Sequence, residues 1–514
     1  MGTLAALALM QASANSQGVV GGATWEATAT AVPSRYYQFK SDLEKADAEH
    51  LAGHMDAVFA SYMAIFSKLP VRAKQPARLN LYLFADQKTY NAFLGAKFGH
   101  DGEGSWGKCI RWGQSYWLVG WKGDHSLEEM QALLQHEGFH QVAGQIFPDL
   151  PLWANEGLAE LFERGVVVGG LLALGEISSG DYRRLHAAIE QDSLIPFDRF
   201  FSMSDNEWAA HVRSGHARLN YLQAWSLVHF LLYAQNGKYE QGFMRFLVQL
   251  NRDIGWQQAF VAAFGMPDFR TMEREWLAYI KEEIPTDYRE TVRRLDFLAA
   301  GTAKLADEKV FPTSVEELRE ALRKAKFEHS SALYGEKRTF SASDIEAFTV
   351  PGATEDPSRR FVLADRRNRP MTGSKGRLSG PPKILAVGKM PKSFTATLTK
   401  RGREYAYALA AGDPIRVEAS EISAAPPKSE GTEGTEPFEL DNRPKVASQA
   451  APIEDATKAL RTWRSADGRF SVEARLTGVL GGAAYLKKAD GTTIKVPSEK
   501  LSAEDRAFLE ERKR

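Results

Sequence analysis

The segment Leu133-Leu134-Gln135-His136-Glu137-Gly138-Phe139-His140 constrains the fold of this chain more than any other. An α-helix completes a turn in about 3.6 residues, so side chains four apart lie one above the other on one face. Two imidazoles placed in this way can reach a single tetrahedral cation. Glu137, one step round the helix, then stands beside the cation without ligating it, where a carboxylate can take a proton from an attacking water. Ser126 and Glu129 have the spacing of a capping box that opens the helix, and Leu127, Met130, Leu133 and Leu134 bury its early turns. The segment predicts a well-packed helix that presents both histidines to one point; taken alone, it also admits a core helix whose histidines are merely hydrogen bonded.

A second segment supplies what that point lacks. Glu156 follows His140 by 16 residues, within Leu152-Trp153-Ala154-Asn155-Glu156-Gly157-Leu158-Ala159-Glu160. Pro148 and Pro151 break the chain between the two helices, and Pro151 is placed to open the second. Glu156 and Glu160 share a face at i,i+4, where two carboxylates repel by roughly 0.2–0.5 kcal/mol. A cation between the helices removes that objection. Glu156 becomes the third ligand, and Glu160 accepts a hydrogen bond from the outer nitrogen of a ligating histidine, which fixes the tautomer. A solvated acidic helix would not explain Trp153, Leu158 and Phe162, which pin the segment against a core.

Other residues of the right types read differently. His50 and His54 are also four apart on a helical stretch, but Leu51 takes the position of the carboxylate, so an ordinary solvated face is expected. Cys109 is the sole cysteine; it closes no intrachain disulfide and reads as a small buried apolar side chain.

HEGFH followed by WANEGLAELFE resembles the gluzincin metallopeptidases, and most closely their peptidase MA-like group, over about residues 30–285. The resemblance implies one Zn2+ per chain held by His136, His140 and Glu156, with Glu137 as general base and Glu160 as the supporting carboxylate. It implies hydrolysis of a peptide or protein substrate, and a small sheet packed on the active-site helix with an α-helical lobe after it. In that family the substrate backbone adds to an edge strand of the sheet, and Ser115–Val119 is the expected strand here. Tyr221, ahead of the apolar run Leu222–Phe230, matches the family as well. Its phenol is expected either to donate to the oxyanion of the tetrahedral intermediate or to pack at a helix start; His216 is the other group for that donation.

Around these motifs the periodicity describes an α+β fold. Helical spacing runs over 37–68, strands cover Ala77–Phe84 and Ser115–Trp121, and a short helix begins at Thr89. From Leu127 to about Glu283 the pattern is helical apart from loops near 166–182 and 192–206. The metallopeptidase-like domain is thus expected over 25–285. Residues 286–345 read as a helical connector, with Ser314 and Glu317 as a capping pair. Residues 346–420 read as a small separate β-containing domain, with strands at Lys383–Val387, Ser393–Leu398 and Tyr405–Leu409. The Pro-, Ser-, Gly- and Glu-rich stretch 421–458 buries little and reads as a linker.

Over 459–514 the alternation returns, with Asp490-Gly491 as a hairpin turn, so a small β barrel is expected. Arg461-Thr462-Trp463, Asp467-Gly468-Arg469-Phe470, Val496-Pro497 and Leu501-Ser502 resemble the SH3-like homology domain of a yeast endocytic adaptor family. That domain binds short peptide motifs, so the resemblance implies a short-peptide partner.

Composition sets the remaining bounds. Basic and acidic side chains number 65 each, and no basic stripe interleaved with aromatics occurs, which argues against a nucleic-acid partner. No internal run reaches the roughly 18 apolar residues of a membrane span. Leu4–Met10 is a short apolar run followed by Gln11-Ala12-Ser13-Ala14, a small-x-small pattern, so 1–14 reads as a leader and the protein as exported to the periplasm or beyond. There is no phosphate loop in a strand–helix context and no Ser-centred nucleophile elbow. Two other readings stay open: a catalytically degenerate gluzincin fold that binds through its C-terminal domain, and a zinc hydrolase of non-peptide amides or esters. An intact Glu137 argues against the first, because a structural zinc site has no use for that carboxylate.

Overall fold

The structure, a computed structural model, describes residues 22–66, 78–99, 102, 104–147, 150–214, 217–250, 255–264, 269–371, 380–413, 460–480, 483–488 and 493–511. The expected leader at 1–14 and linker at 421–458 lie outside the described residues. The chain divides into a unit ending at Val417 and another beginning at Glu418.

The first unit opens with α1 (Gly22–Thr28), β1 (Thr30–Val32), β2 (Tyr37–Ser41), α2 (Lys45–Phe66), β3 (Leu79–Phe84), α3 (Gln87–Phe98), β4 (Gly107–Trp112) and β5 (Ser115–Trp121). The helix expected from residue 37 begins only at Lys45. Tyr37, Phe39 and Ser41 are buried while Gln38 is exposed, a period of two that a strand can bury on one face. The strands pair in the order β1-β2-β3-β5-β4, with β2, β3 and β5 parallel and the outer strands antiparallel. β5 is therefore interior and β4 is the edge, which corrects the expectation for Ser115–Val119. The β4–β5 hairpin turns at Gly113 (φ 62°) and folds the earlier strand to the outside.

Helices α4 (Leu127–Ile146) and α5 (Leu152–Glu163) follow. Ser126 opens α4 with a complete capping box to Glu129. Gln141 docks α4 on the sheet, its amide donating to Asn80 O on β3 at 2.8 Å and to Tyr116 O on β5 at 3.0 Å. The first expected loop holds a small hairpin, β6 (Val166–Val168) with β7 (Leu171–Ala173). The helical lobe continues through α6 (Ser179–Glu190), α7 (Phe197–Phe200), α8 (Asp205–Arg213), α9 (Ala217–Tyr233), α10 (Glu240–Leu250), α11 (Trp256–Phe264) and α12 (Phe269–Glu282). Trp153 of α5 stacks on Phe246 with centroids 5.7 Å apart and meets Phe201 and Phe260 edge-on, so α5 is pinned into this lobe.

Next come α13 (Tyr288–Asp307), α14 (Val315–Lys324), the hairpin β8 (Glu328–Ser331) with β9 (Arg338–Ser341), then β10 (Arg360–Ala364), β11 (Lys383–Val387), β12 (Ser393–Arg401) and β13 (Glu404–Gly412). The last four form an antiparallel sheet in chain order. The separate domain expected over 346–420 is not separate in its described part. Leu295 and Leu298 of α13 share one buried core with Phe361, Ile384 and Phe394 of the sheet and with Val166 and Ala173 of the β6–β7 hairpin. Asp296 fastens these layers, accepting from His329 Nε2 of β8 at 2.9 Å and from Tyr407 Oη of β13 at 2.8 Å.

The second unit holds β14 (Arg461–Arg464), β15 (Ser471–Leu480), β16 (Ala483–Lys488), β17 (Thr493–Pro497) and α15 (Ala503–Glu511). Its core gathers Trp463, Ala474, Leu486, Leu501 and Leu509. The strands make an antiparallel meander in chain order, and among the described residues no pairing joins β17 to β14. The expected barrel is thus an open sheet here, with Phe508 of α15 packed on Trp463 at 5.7 Å. No helix among the described residues is long and apolar enough to cross a membrane.

Candidate metal centre

His136 and His140 project from α4 toward Glu156 on α5. His136 Nε2 lies 3.5 Å from Glu156 Oε2, and His140 Nε2 lies 3.7 Å from Glu156 Oε1. The three donor atoms fall within 4.8 Å of one another, and Glu156 is fully buried. Close backbone packing brings the helices to this depth. A Cβ on Gly157 would stand 2.4 Å from Ala224 O on α9, so only glycine lets α5 lie so near that helix.

The other ring nitrogens face outward. His136 Nδ1 lies 2.9 Å from Glu163 Oε2, and His140 Nδ1 lies 3.2 Å from Asn155 Oδ1. An Nδ1–H donated in each case leaves both Nε2 lone pairs facing Glu156. Glu160, the expected partner of a histidine, is 3.7 Å from His136 Nδ1 and is engaged instead by Arg164, which also donates to Asp181 at 2.9 Å. Glu163 takes the role. Positions 156, 160 and 163 follow i, i+4, i+7 on one helix face, so periodicity admits either carboxylate; Arg164 and Asp181 decide between them.

Gln135 has a part that the sequence does not announce. Its amide donates to Gly165 O at 3.0 Å and to Phe162 O, and its Oε1 receives His54 Nε2 at 2.9 Å, so it ties α2 and the end of α5 to α4. His54 is half-buried at this junction rather than on a solvated face, and burial lowers its pKa to about 3. His50 is exposed, with Nε2 2.6 Å from the Gln131 amide nitrogen.

Burial raises Glu137 to about 7, with Glu156 adding to the shift and His136 opposing it. One oxygen of Glu137 is anchored by the Cys109 N–H of β4 at 2.8 Å. Burial pushes His140 down to about 4 against the pull of Glu156. Burial acts the same way on His136, but Glu156 and Glu163 together carry it well above its usual value. A cation between these groups would oppose protonation of the histidines.

The residues present fit such a cation. His140 Nε2 and Glu156 Oε2 are buried with no hydrogen-bond partner among the described residues. A buried polar atom left in this way costs roughly 1–3 kcal/mol, and one divalent ion satisfies both. Ligands about 2.1 Å from a tetrahedral ion stand about 3.4 Å apart, close to the separations here. Two imidazoles and one carboxylate suit zinc and leave a position for a further ligand.

Tyr221 is buried at the first turns of α9, its ring 6.4 Å from that of His136 and edge-on to Trp208. His216 lies outside the described residues. Cys109 is partly buried on β4, and burial with Glu137 beside it pushes its thiol pKa up, the opposite of what activates a thiolate. A cleft of about 540 Å³ opens beside Glu160, Glu163 and Tyr221.

A family model described as SLA1 homology domain 1 matches residues 453–514, which take in every strand of the second unit. A model described as a protein of unknown function, DUF1570, matches residues 130–253, which carry His136, Glu137, His140, Glu156, Glu163 and Tyr221. No curated protein matches the chain. The C-terminal unit is thus similar to an adaptor-type homology domain, a module suited to a protein partner.

Proposed function

We propose that the first unit is a zinc-dependent peptidase and that the second binds a short peptide segment of a partner protein. The observation that carries the first part is the buried Oε2 of Glu156, unpartnered among the described residues and facing the Nε2 atoms of His136 and His140. His136, His140 and Glu156 would hold the zinc, which when bound supplies a Lewis acid that polarises a scissile carbonyl and acidifies a water. Glu137, with one oxygen fixed by the Cys109 N–H, has the other to take a proton from water and to deliver it to the leaving amine. Glu163 and Asn155 hold the two imidazoles in the ligating tautomer.

The edge strand β4 supports a peptide substrate. Trp121 N donates to Trp106 O, so the alternation of an antiparallel pair turns the peptide groups of Gly107 and Arg111 away from β5, and the Cys109 carbonyl with them, the Cys109 N–H being held by Glu137. An extended chain can add there through its main chain. Tyr221 is the proposed donor to the oxyanion, a role worth about 3 kcal/mol. Export, proposed from the leader-like 1–14, would put the enzyme outside the cytoplasm.

The similarity to an adaptor-type domain favours a second reading, a degenerate enzyme that only binds. An anchored Glu137 beside the ligand set speaks against it. Metal content by mass spectrometry, paired with peptide cleavage, tests the choice. About one zinc is expected in wild type and in Glu137→Gln and none in Glu156→Ala. Cleavage should fall about 10²–10⁴-fold in Glu137→Gln. Wild type that takes up no zinc on reconstitution overturns the enzyme reading.

A further inference from the structure

The cleft beside the metal centre is built from two distant parts of the sequence. Glu129 and Ala132 of α4, Glu163 of α5 and Tyr221 of α9 form one wall; Tyr334 and Glu336, in the loop between β8 and β9, form the other. Trp106 also lines it, so the cleft continues from the start of the edge strand. The loop is firmly held. Arg293 reaches both Glu128 and Glu336 at 3.0 Å and lies 5.5 Å from the Tyr334 ring centroid. Gly335 leaves no room for a side chain, since a Cβ would stand 2.6 Å from Leu127 Cβ.

Tyr334 itself is unusual. Its φ of 62° is left-handed, a conformation that tyrosine rarely adopts, and its hydroxyl is buried with no partner among the described residues. Phenylalanine would pack equally well without an unsatisfied group, so folding does not account for the hydroxyl. The residue lines the cleft, and a ligand seated against it satisfies the hydroxyl once the side chain turns it toward the cleft.

Charge says what kind of ligand. Seven carboxylates and four guanidinium groups line the cleft, and Arg293, paired with Glu128 and Glu336, is a fifth guanidinium at its wall. Arg164, Arg184 and Arg289 are already paired with carboxylates of the wall, and Arg218 is exposed at the first turn of α9. Glu129 accepts from the Ser126 N–H at 2.8 Å and Oγ at 2.9 Å, and among the described residues no cation lies within ion-pair distance of it. The Ser126 N–H holds its carboxyl below the usual range, so it is ionised at neutral pH. The other acidic side chains of the wall are largely paired with arginine, so the charge that a ligand meets there is that of Glu129, held at a concave surface where its field is focused.

We infer that this cleft is a subsite for a lysine or arginine side chain of the substrate peptide, with Glu129 as its charge partner and Tyr334 as a further recognition residue. The inference rests on the peptidase reading for the nature of the substrate.

The zinc-loaded full chain is given a mixed-sequence peptide library, and cleavage sites are read by mass spectrometry. Lysine or arginine should be enriched about ten-fold over norleucine at one fixed position from the scissile bond. Glu129→Gln keeps an oxygen for the Ser126 cap and should abolish the enrichment. Tyr334→Phe should raise KM for lysine peptides about five-fold, with a melting temperature unchanged or higher, because it removes an unsatisfied hydroxyl. Cleavage without a charge preference, or a preference that Glu129→Gln leaves intact, overturns the inference while the peptidase reading stands. If zinc binds and nothing is cleaved, the peptidase reading falls, and fluorescence anisotropy decides the cleft. A labelled lysine nonapeptide that binds more tightly than its norleucine twin, and loses that advantage in Glu129→Gln, upholds the subsite; equal binding sinks it.

Discussion

Asp296 and Glu156 are buried carboxylates of the first unit that face histidines, and the two pairings end differently. Asp296 accepts from His329 at 2.9 Å and from Tyr407 at 2.8 Å; burial opposes its charge, yet these hydrogen bonds hold its carboxyl below the usual range. That pairing is complete, and it fastens α13 to β8 and β13. Glu156 faces two histidines at 3.5 and 3.7 Å, beyond hydrogen-bond length, and its Oε2 is unpartnered among the described residues. A buried histidine–carboxylate pair is therefore not in itself a site. What marks one is convergence without satisfaction, where several lone pairs aim at a point the protein does not fill.

The largest expected effect asks which pair answers to zinc. Added zinc should stabilise wild type by about 4 kcal/mol when present at 1,000 times its Kd, read as a shift in thermal unfolding. Glu156→Gln should remove that gain, and Asp296→Asn should keep all of it; a loss in Asp296→Asn would collapse the contrast. A smaller effect sharpens the comparison within the centre. Glu163→Gln should weaken zinc binding about 10–100-fold in a chelator competition, and Glu160→Gln should weaken it less, because Arg164 already holds Glu160. Equal losses would return Glu160 to the role that spacing alone suggested. Smallest is the cost of opening the finished pair: Asp296→Asn should lose about 1–2 kcal/mol in urea unfolding, the same with or without zinc. A zinc-dependent loss there would mean that the clamp and the centre are coupled.

Much of the centre was legible because its ingredients are local. His136, Glu137 and His140 are set on adjoining faces by helical period alone, and the Ser126–Glu129 box starts their helix as its spacing says. Asn155, Glu156 and Gly157 sit on a second helix opened at Pro151. The strand Ser115–Trp121 also formed where its aromatic-rich sequence placed it. Less was legible wherever an outcome depends on what folds alongside. Residues 37–41 could not be told from the helix that follows them until β1 and β3 paired on either side.

The sequence by itself determined which side chains share a face, since that follows from the pitch of the backbone over a few residues. The tertiary structure alone decided that β4 rather than β5 is the edge, that Glu163 rather than Glu160 supports His136, and that residues 328–341 close a cleft over α4. Each of those outcomes depends on a partner beyond the reach of helical or strand period: β3 against β5, Arg164 against Asp181, Arg293 against Glu128. Whether a buried polar group is satisfied is a property of such distant pairings, and periodicity carries no information about them.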